Sequence, residues 1–219
     1  MDLLARRRRR DLRRRPPERA GDGPQRGYKR SAPRSEAAGS PTLARVTTTA
    51  TEFDTVMLIA RVIVGVTIFL HGYNKAFRGG RIAGTANWFE GLGMRPNGRI
   101  HAVAAATTEL ASGVLLCLGL LTPLAAAGVI GICVVAARTD HRGAFFMFKN
   151  GWEYVMILGV LAAVIGAFGP GGWSLDAVTG LDEVLIPDWR GLLLAVVPGV
   201  ALGVLTILCF WRPPESSGE

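Results

Sequence analysis

Two charged residues stand inside long apolar stretches: Arg61 in the block 55–71 and Glu109 in the block 102–121. A charge at the centre of a membrane helix costs about 2.5–3.5 kcal/mol on insertion scales, so each needs a physical reason to be there. Arg61 lies ten residues before His71, and Glu109 eight residues after His101. Counted from the loop between them, the two depths are about 15 Å and 12 Å at 1.5 Å per residue. The near match predicts an Arg61–Glu109 ion pair between antiparallel neighbours, each charge offsetting the desolvation of the other. A buried pair is weak evidence for stability by itself. The same two groups also suit a polar cavity that binds a quinone headgroup or relays a proton.

The same end of the chain's apolar blocks collects His71, Lys75, His101, Arg138, His141, Lys149 and Glu153. His71 and Lys75 stand four apart in HGYNK and share one face if the helix continues, while Glu153 opens a block in GWEY. Arg61, His71, Lys75, Glu109 and Glu153 therefore form a candidate quinone or proton site. The competing reading is that the cations, with Trp88, Trp152 and Tyr154, anchor helix ends at the headgroups. No metal site is expected: Cys117, Cys133 and Cys209 all fall within apolar blocks, without a CxxC pair or a histidine at ligand spacing. Each cysteine reads as a small buried apolar residue.

Positioning these groups takes helices in a bilayer. The chain has 219 residues, 49% of them hydrophobic and only 19% charged, and its apolar residues come in blocks of 15 to 20 rather than at a helix or strand period. That pattern excludes a water-soluble enzyme. Five blocks qualify as spans: 55–71, 102–121, 123–137, 152–168 and 191–210. Thr122-Pro123 separates the second and third so tightly that they form an antiparallel hairpin, with Pro123 in the first turn of the new helix. Gly65, Gly113, Gly128, Gly131, Gly159 and Gly166 let backbones approach closely, as helix packing in lipid requires. The expected fold is an all-α membrane protein: an antiparallel transmembrane four-helix bundle, a fifth C-terminal transmembrane helix at 188–212, and a disordered N-terminal tail.

The net charge of +8 is a property of that tail. Residues 1–50 hold 14 Arg or Lys against five Asp or Glu, and are rich in Arg, Pro, Gly, Ala and Ser, with too few aliphatic residues to fold. Arg6–Arg10 and Arg13–Arg15 suit an anionic membrane surface or nucleic acid, with a solvated charge run as the simpler reading. The tail lacks the layout of a signal peptide, and Val46 reads as an alternative start. Near the spans, the loop 73–100 carries five cations and the loop 138–151 three, joined by Arg212 after the last block. The local positive-inside count puts these segments in the cytoplasm, whereas a translated tail argues for the reverse.

Arg61, HGYNK at 71–75, GTANWFEGLGM at 84–94, Glu109, GLLT at 119–122, GWEY at 151–154 and GPGGWSLD at 169–176 together resemble the DoxX family, in order, across residues 55 to about 180. The resemblance implies a DoxX-like four-helix membrane domain at 53–180 in the bacterial plasma (inner) membrane, in a family named for a small subunit of an archaeal thiosulfate:quinone oxidoreductase. Some relatives are linked to a membrane complex with a sulfurtransferase and a superoxide dismutase in oxidative-stress defence. The basic tail and the fifth span depart from that pattern.

The leading reading is therefore the membrane subunit of a redox system that passes electrons from a thiol or sulfur substrate to quinone. No cofactor is expected to be covalently bound. Partners under this reading are the lipid bilayer, soluble sulfurtransferase or superoxide dismutase-type proteins and a second copy of the chain, with no nucleic acid. An alternative is a non-catalytic membrane anchor that recruits soluble detoxification enzymes. A small-solute transporter comes last, because four short helices leave little room for alternating access.

Overall fold

The computed structural model describes residues 49–186 and 189–214, and the Arg-rich tail lies outside them. Among the described residues the chain is helical throughout, and the protein is an all-α membrane protein. Each of the five apolar blocks becomes a helix: α1 (Ala50–Phe77), α3 (Gly98–Leu118), α4 (Thr122–Thr139), α5 (Glu153–Phe168) and α8 (Arg190–Phe210). Three further α-helices and a 3-10 turn at Met147–Lys149 join them. An amphipathic α2 (Arg81–Gly91) connects α1 to α3, and the short α6 (Leu175–Thr179) and α7 (Leu181–Leu185) connect α5 to α8. Helices α1, α3, α4 and α8 are long and apolar enough to cross a membrane, while α5 is a shorter apolar helix of 16 residues.

Local chemistry sets the helix ends. Thr49 and Glu52 form a capping box, the Glu52 backbone N–H donating to Thr49 Oγ1 at 3.3 Å and the Thr49 N–H to Glu52 Oε2 at 2.8 Å. Asn97 caps α3 by accepting from the Arg99 N–H at 2.7 Å. Gly119 ends α3 in the left-handed region at φ +63°, where glycine pays no Cβ penalty. Pro123 then sits in the first turn of α4 as expected.

Apolar side chains cover the outside of the bundle as well as its core. The outer faces carry large apolar side chains such as Ile63, Leu70, Val160 and Leu202, all exposed. The interior combines small residues and aliphatic side chains such as Leu116 and Ile165 with Arg61 and Asp176, both 0% exposed, and Glu109 at 2%. Lipid rewards close van der Waals approach rather than apolar burial. Helices α1 and α3 meet at Gly65 and Gly113, where a Cβ on Gly113 would stand 2.7 Å from both the Gly65 carbonyl oxygen and Phe69 Cβ. Helix α8 packs on α4 in the same way: a Cβ on Gly199 would lie 2.7 Å from the Ala127 carbonyl oxygen. Gly113→Val is thus expected to destabilise the bundle by about 1–3 kcal/mol through overpacking, read as a lower midpoint of thermal unfolding in detergent.

The cysteines divide by helix face. Cys133 is buried in the core and Cys117 is half-buried, but Cys209 is exposed, contrary to the expectation that all three are buried. Helix α8 packs through its glycine face, and Cys209 lies on the face left over.

Candidate functional site

A cavity of about 660 Å³ lies between α1, α2, α3, α4, α5 and α8. Its walls are mostly apolar, including Phe89, Ile132 and Leu158, and the titratable groups on it include His71, Lys75, Glu109, His141 and Tyr154.

The central pair is Lys75 with Glu109. Lys75 Nζ donates to Glu109 Oε1 at 2.6 Å and to Oε2 at 2.8 Å. The Glu109 side chain is 2% exposed and the Lys75 side chain 18%. Gly72 makes the pair possible: a Cβ there would come within 2.9 Å of Glu109 Cβ and the Leu110 backbone. The missing side chain brings α1 onto α3 at the level of Glu109. Lys75 is one turn further along, and because helical side chains lean towards the N-terminus its long stem reaches back to the carboxylate. Thr85 Oγ1 donates to the Lys75 carbonyl at 3.0 Å, tying α2 to the same turn of α1.

Beside this pair, His71 Nε2 and Tyr154 Oη share a hydrogen bond of 3.1 Å between α1 and α5. Tyr154 belongs to the site on this geometry, although its position in GWEY reads from sequence as an interfacial anchor. Both roles suit a tyrosine, whose ring is apolar and whose hydroxyl needs a partner.

Two of the five sequence-derived site residues sit elsewhere. Arg61 does not pair with Glu109. Its Nη1 donates to the carbonyls of Leu116 at 3.1 Å and Cys117 at 3.4 Å, and its Nη2 to the Trp173 carbonyl at 2.7 Å. The expected pairing fails because α1 runs on to Phe77 and α3 begins at Gly98, so His71 is level with Glu109 rather than with His101. Arg61 then lies about 15 Å along the axis from Glu109, at 1.5 Å per residue. Glu153 does not reach the cavity either; its Oε2 accepts from the Met147 N–H at 3.2 Å.

The end of the bundle that holds the cavity is closed by the chain's last described residues. Trp211 Nε1 donates to the Leu92 carbonyl at 2.9 Å, and the Arg212 N–H donates to the Gly93 carbonyl at 2.9 Å. The guanidinium carbons of Arg138 and Arg142 lie 4.6 and 5.1 Å from the Trp211 ring centroid, within cation–π range. The loop around 92–95, the segment 138–142 and Arg212 therefore share one end of the bundle, the arrangement that five spans require. His101 supports the same end, its Nε2 hydrogen-bonded to the Arg95 carbonyl at 2.8 Å.

Among protein-family models, the one described as DoxX matches residues 56–142. The matched segment contains Arg61, His71, Lys75 and Glu109, and stops before Glu153, Tyr154 and α8. No curated protein and no solved structure matches the chain.

Proposed function

Starting from a chain that belongs to the DoxX family through residues 56–142, we propose that this protein is the membrane subunit of a redox system, delivering electrons from a thiol or sulfur compound to a quinone held in the cavity. The observation that carries this reading is the buried Lys75–Glu109 pair in the wall of a mostly apolar cavity of about 660 Å³. Small-molecule sites are typically about 300–1,000 Å³, mostly apolar, with a few placed polar groups. A quinone has that mixed character, an apolar ring and tail with two carbonyl oxygens at the head.

A quinone held there would supply the acceptor for two electrons and two protons and would leave as the quinol. The thiol side balances this: two thiols of a soluble partner, of the sulfurtransferase or superoxide dismutase-associated type, give one disulfide, two electrons and two protons. The chain's own residues orient and protonate. The Lys75 ammonium donates a hydrogen bond to a carbonyl oxygen, and Glu109 holds Lys75 in place and can carry a proton. The His71–Tyr154 pair offers a second route for protons into the cavity. The apolar walls exclude water, which strengthens each of these interactions. The bacterial inner membrane, where quinones reside, is the location this reading requires.

The test is purification in mild detergent followed by lipid extraction. Wild-type protein is expected to carry quinone at close to one molecule per chain, and Glu109→Gln to lose about 90% or more of it while remaining folded, since a lost charge-assisted hydrogen bond is worth about 1.5–3 kcal/mol. Absence of quinone from both proteins overturns the redox reading and favours a membrane anchor that recruits soluble enzymes.

A further inference from the structure

Between α4 and α5 the chain runs Arg142-Gly-Ala-Phe-Phe-Met-Phe-Lys149, and its apolar residues point outwards. Phe146 is 50% exposed, Met147 59% and Phe148 80%. Phe146 and Phe148 stack on one another at 5.4 Å between ring centroids, and Phe145 packs edge-on against Trp152 at 4.9 Å. In an aqueous loop this much exposed aromatic surface would be unfavourable.

We propose that residues 144–152 lie at the membrane interface, their backbone at headgroup level, with the side chains of Phe146, Met147 and Phe148 dipping among the acyl chains and Arg142 and Lys149 at the headgroup phosphates. Three observations select lipid as the occupant of this surface. First, α5 has 16 residues and so rises about 24 Å at 1.5 Å per residue, short of a hydrocarbon core of about 30 Å. The flanks must supply the missing length, and of the two it is the one before Glu153 that carries an exposed aromatic run, against Gly-Pro-Gly-Gly at 169–172.

Second, the turn that follows the exposed aromatics pairs five successive backbone N–H groups within the loop, which lowers the cost of leaving water. The N–H groups of Lys149, Asn150 and Gly151 donate to the carbonyls of Phe146, Met147 and Phe146 at 2.9–3.0 Å, and those of Trp152 and Glu153 donate to Ala144 and Phe145 at 3.2 and 2.9 Å. The Met147 N–H is capped by Glu153 Oε2, and Asn150 Nδ2 donates to the Asp140 carbonyl at 3.2 Å. Glu153 thus serves the loop by closing a backbone donor that lipid could not. Third, the patch is continuous with the outer face of α5: Trp152, which contacts Phe145, caps that helix, and Ile157 and Val160 on it are exposed. Met147 also lines the cavity, so this placement would put the cavity's rim at the boundary between headgroups and acyl chains.

The test uses the full chain in nanodiscs of phosphatidylethanolamine and phosphatidylglycerol, where both faces are open to solution. A nitroxide on Phe148→Cys, with Cys209→Ser to remove the exposed native thiol, is expected to collide with oxygen about tenfold more often, relative to a water-soluble nickel complex, than one on Lys149→Cys in the same background. Equal collision with the nickel complex at both positions overturns the proposal and leaves the patch facing water as a docking surface for a soluble protein. A second measurement needs no substitution: a lipid-soluble diazirine is expected to label Phe145–Phe148 in the unaltered chain. Labelling confined to the helices overturns the proposal as well.

Discussion

Glu109→Met and Lys75→Met are each expected to destabilise the bundle by about 2–4 kcal/mol, whereas the double variant Lys75→Met/Glu109→Met returns to within about 1 kcal/mol of the wild type. Either single change leaves a charged or strongly polar group in the wall of an apolar cavity without its partner. The figure falls towards the lower part of the range for fully buried pairs because Lys75 is 18% exposed and its flexible stem can carry the ammonium towards the headgroups. Two methionines restore an apolar wall of similar volume. Unfolding in detergent, arranged as a double-mutant cycle, reads the coupling between the two positions. Bound quinone separates fold from function: the restored double variant is expected to be stable and empty. A stable double variant that keeps its quinone would remove the pair from the ligand site and leave it a structural element.

The five apolar blocks were legible because lipid-facing helices must be almost wholly apolar, and the α3–α4 hairpin because Thr122-Pro123 leaves no room for a longer connection. The pairing of charges was less legible. Counting from the loop presumes that its two flanking helices end at equal height, and α1 continues past His71 for six more residues. The register is fixed instead by close backbone approach, with Gly65 against Gly113 and Gly72 against Glu109. Those glycines were visible in the sequence, and reading them as register marks would have aligned His71 with Glu109 and brought Lys75 to the carboxylate. Helix α2 lay hidden in the loop 73–100 because its apolar residues are few and interleaved with polar ones. The role of Glu153 was not legible at all, since it depends on an irregular loop that folds back upon it.

Asp176→Ala is expected to be the other severely destabilising change, at about 3–5 kcal/mol, because it removes two hydrogen bonds to a charged acceptor. Asp176 is fully buried and accepts from the N–H groups of Leu121 at 2.7 Å and Thr122 at 2.9 Å. These donors begin α4, while Arg61 binds the last carbonyls of α3 from the other side of the same turn. A cation at a helix C-terminus and an anion at a helix N-terminus each complement the local dipole, so the tight hairpin is held by charge at both of its ends. Leu121 adopts the left-handed region at φ +49°, a conformation that costs a non-glycine residue about 1–2 kcal/mol. Leu121→Gly in the Asp176→Ala background is therefore expected to recover up to about 1 kcal/mol, and no less with Asp176 intact, because the aspartate holds that strained conformation in place. Arg61→Ala combined with Glu109→Gln tests the separation of the two networks: at about 15 Å apart their effects should add within about 0.5 kcal/mol. A larger coupling would mean that Arg61 and Glu109 act on one another after all, and that the register set by the glycines is not the one the membrane-embedded protein keeps.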